Sequence, residues 1–234
     1  MIQTEGIFVG GSAISAPIIG EDFNWSGGDG TYQVLDDGGG NWRIKFLSSG
    51  TFTPLKNMVI DVFLVGGGGG AGSSYCGAGG AGYTTTVRSV VVAANTAYPI
   101  VVGAAGTQTY TVQSDGGTSS AFSAVANGGH HSVSGDKTWK KTGANGGSGG
   151  GGQYADGGTD GSDGATGDTA GGKGQGTTTR EFGEADGDLY ASGGGGNLKA
   201  TVPNSGNGGL FSMTHPIHPA DGIVVIRQHK EVVA

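Results

Sequence analysis

The sequence predicts a mostly β protein with a bundle of packed polyglycine-II helices and little or no α-helix. Short runs rich in β-branched and aromatic residues recur along the chain and end at Gly, Asn, Asp or Ser, which is typical of strands. Glycine accounts for 54 of the 234 residues, against a usual share of about 7%. In the longest glycine-rich tract, glycine returns at every third position over two stretches, which matches the three residues per turn of an extended polyproline-II-like helix.

The predicted strands are short, and glycine or a turn residue bounds each of them. They span residues 31–35, 42–47, 59–65, 84–93, 98–103, 108–113 and 222–227. Two hairpins are predicted, one within 42–54 that turns at 48–50 and one within 89–103 that turns around Asn95. Helix is not predicted, because glycine interrupts almost every window in which apolar residues could repeat at a 3.6-residue period.

Glycine-rich tracts lie between and after these strands. They span residues 66–82, 116–129, 143–176 and 193–209. Collagen shares the three-residue period, but it requires abundant proline, and residues 143–176 contain none. Segments without Cβ atoms can approach closely enough for backbone N–H groups to reach the carbonyls of neighbouring segments. The tracts are therefore expected to satisfy their backbone groups by packing against one another.

A flexible linker is the alternative interpretation of this composition. The last predicted strand, GIVVIR at 222–227, is as apolar as VIDVFLV at 59–65. A chain that returns to a buried strand after its glycine tracts is expected to fold those tracts between the two strands. The sequence therefore favours the packed bundle.

Charge and cysteine content exclude several classes of protein. Twelve Lys and Arg against nineteen Asp and Glu give a net charge of -7, which argues against nucleic acid as a partner because such binding requires a basic surface. No window approaches 18 consecutive apolar residues, so membrane insertion is not expected. Cys76 is the single cysteine, which excludes a disulfide within the chain and a zinc site built from cysteines.

Motifs for cofactors and catalysis are weak. Gly66, Gly68 and Ala71 match the start of a dinucleotide fingerprint, but no helix is predicted after them. Carboxylates between residues 156 and 188 are interpreted as solvated loop charges, and no spacing of Ser, His and Asp favours hydrolysis. We therefore expect no cofactor, no metal and no enzymatic activity. A hydrolase or metal-binding module that acts on surface polysaccharide is the weaker alternative.

Recognition-type side chains lie in the least regular segments. Trp139 lies among Lys137, Lys140 and Lys141 in an otherwise acidic chain. Aromatic rings beside polar groups suit the binding of sugars and protein surfaces, since they supply contact area at low entropic cost. The candidate receptor-binding residues are Tyr75, His130, His131, Trp139, Tyr154, Phe211, Met213 and His215.

Several segments carry a resemblance in their order and spacing. Its most distinctive parts are the junction of strand and polyglycine in VIDVFLVGGGGGAG (59–72) and the final DGIVVIR (221–227), with WRIKFLSSGTFTP (42–54) before them. Over residues 42–227 the chain resembles the glycine-rich domain of bacteriophage and prophage tail proteins. One departure is NLKATVPNSGNGGLFSMTHPIHPA at 197–220, where the family usually has a long glycine tract before the closing strand. This segment is a candidate for a partner-specific surface.

The resemblance implies a virion component, a tail-fibre or tail-tip protein that is made in the host cytoplasm and contacts the host surface. Residues 42–234 then form the glycine-rich β/polyglycine-II domain, and residues 1–41 form an N-terminal β segment that attaches to another tail or baseplate protein. The expected receptor is a host-surface glycan or protein. A purely structural tail or baseplate cap is the alternative function, and a homo-oligomer is compatible with both.

Overall fold

The computed structural model describes residues 17–18, 20–38, 40–72, 76–132, 142–198, 200–210 and 216–229. This part of the chain forms ten strands in two five-stranded sheets. Its one helical element is a 3₁₀ turn at Glu181–Gly183, and none of the described residues form a helix long and apolar enough to cross a membrane. The prediction of a mostly β protein with little or no α-helix is confirmed.

The strands follow one another along the chain with all pairings antiparallel. They are β1 (Phe23–Trp25), β2 (Tyr32–Gly38), β3 (Asn41–Phe46), β4 (Gly50–Pro54), β5 (Met58–Val65), β6 (Thr84–Val92), β7 (Tyr98–Val101), β8 (Ser119–Ala121), β9 (Ala124–Ala126) and β10 (Ile223–Gln228). The first sheet has the order β1-β4-β7-β8-β9, and the second has the order β2-β3-β10-β5-β6. The predicted domain boundary at residue 41 stays a prediction, and β2 pairs with β3 across it.

The main hydrophobic core lies between the two sheets, which together form a sandwich. Alternate residues of β3, namely Trp42, Ile44 and Phe46, are buried in it, as the two-residue period of a strand requires. Phe46 meets Phe52 of the first sheet edge to face, with ring centroids 5.7 Å apart. Such aromatic contacts pack the two sheets together. Side-chain hydrogen bonds also connect the sheets, such as the one from the hydroxyl of Thr85 on β6 to the carbonyl of Val125 on β9 at 2.7 Å.

Both predicted hairpins are wrong. β3 lies in the second sheet and β4 in the first, although only three residues separate them. The turn around Asn95, whose φ is +59°, likewise connects β6 of the second sheet to β7 of the first. Each connection is a corner at which the chain crosses between sheets. Turn residues identified the change of direction correctly but carried no information about the sheet that the next strand joins.

The strand predicted at 108–113 is also wrong. Gln108 and Gln113 form an isolated antiparallel bridge, and the residues between them make a tight turn. The N–H of Thr109 donates to the carbonyl of Val112 at 2.9 Å, and the hydroxyl of Thr109 accepts from the N–H of Val112 at 2.9 Å. This local bonding by a threonine side chain competes with strand formation.

The glycine-rich segments form a hydrogen-bonded bundle that continues from the strands. In residues 78–83, successive N–H groups donate to three different segments, and each third residue returns to the same one. The donor–acceptor pairs are Ala78–Gly151, Ala81–Ser148, Gly79–Gly209, Gly82–Gly206, Gly80–His130 and Tyr83–Asn127. The three-residue period that the sequence displays elsewhere is therefore present here in the bonding pattern.

Residues 66–70 occupy an interior position in the bundle. Their N–H groups donate to carbonyls in segments 80–83, 114–117 and 216–222, and their carbonyls accept from segments 102–108, 128–132 and 205–210. A Cβ atom on Gly68 would overlap the carbonyl oxygen of Asn207, and one on Gly82 would overlap that of Gly66. Only glycine permits this approach. The bundle is thus held by backbone bonds in several directions, while its polyglycine-II helical geometry stays a prediction.

Candidate functional site

One end of the bundle lies away from the strands, and we call it the distal end. Residues 66–72 lead to it from β5, and residues 127–132 lead to it from β9. There the N–H of Gly72 donates to the hydroxyl of Ser132 at 2.7 Å. Gly77, on the returning segment, lies so close to Thr142 and Gly143 that a Cβ atom on it would overlap their backbone.

Gln108 extends the distal end to a second pair of segments. Its side-chain carbonyl accepts from the N–H of Ala71 at 2.9 Å. Its amide nitrogen donates to the carbonyl of Leu210 at 3.2 Å and to that of Ile217 at 3.0 Å. Because Gln108 is buried and bonds to three segments at once, it fixes their ends relative to one another.

Most of the candidate residues belong to segments outside the described residues. These segments are 73–75, 133–141 and 211–215. Tyr75, Trp139, Phe211, Met213 and His215 lie in them, so the structure does not place these five predictions. The described residues on either side of all three segments meet at the distal end.

His130 and His131 are described, and both contact Asp115. The Nδ1 atom of His130 lies 3.0 Å from Asp115 Oδ2, and the Nδ1 atom of His131 contacts Oδ1. The N–H of His131 also donates to Oδ1 at 2.8 Å. Partial burial raises the pKa of Asp115, but the bonds from His131 and His130 outweigh it and leave the pKa below its ordinary value. The cluster joins the segment before β8 to the segment after β9 while both imidazoles stay accessible to solvent.

Tyr154 is the most exposed large hydrophobic side chain in the described part of the chain, at 83%. It lies in a turn three residues after Gly151, whose carbonyl accepts from Ala78 near the distal end. The turn at 168–169 lies beside it, and the N–H of Gly143 donates to the carbonyl of the next residue, Ala170. The structure therefore places Tyr154 at the distal end, and its role in receptor binding stays a prediction.

Sequence reasoning missed two exposed apolar residues at the same end. Tyr110 is 67% exposed and Val112 is 56% exposed, and both lie in the turn that follows Gln108. The sequence around them, QTYTVQ at 108–113, predicts a strand instead of a turn. The two threonines of this sequence were the available signal, since their hydroxyls favour turns by bonding to nearby backbone.

A group of charged residues on the second sheet was also missed. The carboxylate of Glu181 is buried, with Glu181 only 1% exposed, and accepts from Arg43 at 2.6 Å and from the hydroxyl of Tyr190 at 3.1 Å. Lys45 lies 3.3 Å from the same carboxylate. Burial raises the pKa of Tyr190 to about 12, against the opposing hydrogen bond from Lys45. The interpretation of the 156–188 carboxylates as solvated charges is therefore wrong for Glu181, whose basic partners lie far away in sequence.

Asp61 forms a second buried site on this face. Its carboxylate is fully buried and accepts from Arg227 at 3.1 Å, from Arg88 at 3.2 Å and from the N–H of Ser89 at 3.1 Å, while the Nδ1 atom of His229 lies 2.6 Å away. Burial alone raises the pKa of Asp61, but the bonds from His229, Ser89 and Arg227 together lower it. These contacts anchor the strands, and within the described ranges no three His, Cys, Asp or Glu residues are arranged to hold a metal ion.

Comparison with protein families finds a match over most of the chain. The family described as "Glycine-rich domain" matches residues 47–227, which include β4 to β9, most of β10 and the glycine-rich bundle. No curated protein matches the chain.

Proposed function

The chain belongs to the glycine-rich domain family, and we propose that it is a non-enzymatic phage tail component, a tail-fibre or tail-tip adhesin. Its distal end binds a receptor on the host surface, a glycan or a protein. The resemblance of residues 42–227 to phage tail proteins supports this assignment. One observation carries it: the residues that flank segments 73–75, 133–141 and 211–215 lie together at the distal end of the bundle.

The bundle serves this function as a rigid platform. We propose that its segments are polyglycine-II helices, supported by the return of every third N–H in residues 78–83 to the same neighbour. A platform whose backbone is bonded in several directions loses little conformational entropy when its loops bind. Several copies on one virion would convert weak single contacts into strong attachment.

The remaining partners are other tail or baseplate proteins, which contact the N-terminal segment 1–41. The protein is made in the host cytoplasm and is then assembled into the virion. Tyr110 and Tyr154 present the two most exposed described aromatic rings of the distal end, so they serve to test the receptor-binding surface.

The test compares a distal variant with a matched variant of the sandwich. Purified labelled protein is titrated against a panel of bacterial strains, and its ability to block phage adsorption is measured. Tyr110→Ala/Tyr154→Ala is expected to weaken binding to the receptive strain at least about tenfold, a loss of about 1.4 kcal/mol. Val91→Ala/Val125→Ala removes two side chains that are 74% and 52% exposed on β6 and β9 and should bind as the wild type does.

Equal binding by both variants would show that the distal end is not the receptor surface. If the wild-type protein binds no strain and blocks no adsorption, the adhesin assignment fails. Loss of tail assembly on deletion of the protein would then support the structural cap instead.

A further inference from the structure

The outer edge of β2 presents backbone groups to solvent. The N–H of Leu47 donates to the carbonyl of Thr31 at 2.8 Å, which makes these two residues a hydrogen-bonded pair where the β2–β3 ladder begins. Because hydrogen-bonded and non-hydrogen-bonded pairs alternate along antiparallel strands, every second residue of β2 turns its N–H and C=O away from β3. These residues are Tyr32, Val34 and Asp36, and we call their outward groups the open edge. The open edge bonds to none of the described residues.

The other three edge strands of the described sheets are short, bulged or covered. β1 and β9 have three residues each, and the carbonyl of Val125 on β9 accepts from the hydroxyl of Thr85 on β6 at 2.7 Å. β6 has a bulge at which Arg88 and Ser89 lie opposite Asp61. There the N–H of Ser89 donates to the Asp61 carboxylate at 3.1 Å. Proteins protect their edges by such means because an unprotected edge pairs with another chain, so β2 is the edge available to an added strand.

The side chains beside the open edge indicate the apolar side of an added strand. Tyr32 and Val34 are half-buried and pack against the main hydrophobic core. The ring of Tyr32 meets that of Phe23 edge to face, with centroids 5.9 Å apart. Apolar residues at alternate positions of an added strand would therefore extend the core past β2.

Charge indicates the rest of the partner's chemistry. Residues 1–42 contain no Lys or Arg, and their acidic residues are Glu5, Glu21, Asp22, Asp29, Asp36 and Asp37. Asp29 precedes β2 and Asp36 lies on the open edge, and both are exposed and form no ion pair with a described residue. A second copy of the chain, with its net charge of -7, would bring like charges to this edge, whereas a basic strand would be attracted to it.

We propose that the open edge of β2 binds an extended basic segment of another protein, which rests on the proposed attachment of segment 1–41 to another tail or baseplate protein. The added strand exchanges backbone hydrogen bonds with the open edge. Its apolar side chains lie beside Tyr32 and Val34, and its Lys or Arg side chains lie near Asp29 and Asp36, where charge assists their hydrogen bonds.

The probe is a synthetic peptide of about nine residues, within the usual length of a strand, in which valine and lysine alternate. Its binding to the full-length protein is measured by fluorescence anisotropy. The same peptide with an N-methylated backbone keeps its charge but cannot donate to the open edge, so it should bind at least about tenfold more weakly. A peptide with glutamate in place of lysine should not bind.

The edge itself is tested by Asp36→Pro, which removes an outward N–H and leaves the bonds to β3 in place. This variant should bind the valine–lysine peptide at least about tenfold more weakly than the wild type. Asp36→Ala is the matched control, because it loses the same carboxylate but keeps the N–H, and it should lose less binding. An unchanged denaturation midpoint shows that the variants fold. If Asp36→Pro does not fold, the parent and N-methylated peptides decide the question on the wild type.

Three results would overturn the assignment of this edge. They are absence of binding by the valine–lysine peptide, equal binding by its N-methylated form, and a wild-type dimer that Asp36→Pro dissociates, which would give the edge to a second copy. Asp36→Pro leaves the distal end unchanged and should bind cells as the wild type does. Failure of the peptide with normal cell binding would therefore leave the adhesin function standing. A wild type that binds the peptide but no bacterial strain would lose the adhesin function and keep the open edge as a binding surface.

Discussion

The sandwich and the glycine bundle are stabilised in opposite ways. Between the sheets, large side chains such as Phe46 and Phe52 exclude water, and the backbone of each strand pairs with its neighbours within one sheet. In the bundle, segments such as 66–70 have almost no side chains, and their backbone groups bond to partners on several sides. The sandwich is therefore sensitive to the volume that a substitution removes, and the bundle to the volume that it adds.

The largest effect is expected from removing volume in the sandwich. Phe46 is fully buried, and its ring contacts those of Trp25 and Phe52 with centroids 4.6 Å and 5.7 Å away. Phe46→Ala leaves a cavity between the sheets and should lower the free energy of unfolding by about 3–5 kcal/mol. Chemical denaturation measures the loss. A change below about 1 kcal/mol would mean that the sheets do not share a tightly packed core.

A smaller loss is expected from adding volume to the bundle. The Cβ atom of Gly68→Ala would overlap the carbonyl of Asn207, which accepts from the N–H of Ala220 at 3.0 Å. The backbone must shift, and we expect a loss of about 1–3 kcal/mol. Amide hydrogen exchange in residues 66–70 should accelerate in the variant, because these amides are bonded in the bundle.

Gly196→Ala is the matched control for this substitution. The nearest atom to its Cβ would be a side-chain oxygen of Asp156 at 3.3 Å, and its backbone is outside the left-handed region. Its effect should stay within about 0.5 kcal/mol. Equal losses of stability from the two substitutions, or rapid exchange of the 66–70 amides in the wild type, would contradict the packed bundle. The glycine-rich segments would then be a flexible linker.

The sequence was sufficient to locate three strands of the second sheet. Runs rich in β-branched and aromatic residues predict strands within one or two residues of β3, β5 and β10, because burial selects such residues at those positions. The strands with which each of them pairs were not predictable in the same way. The turns at 48–50 and around Asn95 are local features, whereas the choice of sheet depends on contacts with distant strands.

The candidate site was likewise predictable only where local sequence decides the structure. Aromatic residues in irregular segments pointed to Tyr154 without any knowledge of the bundle, and its exposure follows from its place in a turn. The burial of Glu181 was not predictable, since its ion-pair partner Arg43 lies 138 residues away in sequence. Glycine spacing indicated a three-residue period, but which segments bond to one another is decided only when the whole bundle has assembled.

The smallest expected effect concerns the slope of stability against pH, and it tests the charged face on which the sandwich meets the 3₁₀ turn. Because the pKa of Asp61 is lowered in the folded protein, its ionised form stabilises the fold above the unfolded pKa of about 3.9. That contribution is lost as the pH falls through the lowered folded value.

Asp61→Asn presents an amide N–H to the donors Arg227 and His229 and cannot titrate. We expect its stability, measured by urea unfolding between about pH 7 and pH 3, to fall less steeply in acid than that of the wild type. Asp186→Asn, on the exposed segment beside the same face, should keep the wild-type slope. An unchanged slope in Asp61→Asn would mean that another carboxylate causes the loss of stability in acid. Asp115 at the distal end would then be the next residue to replace, because its pKa is also lowered.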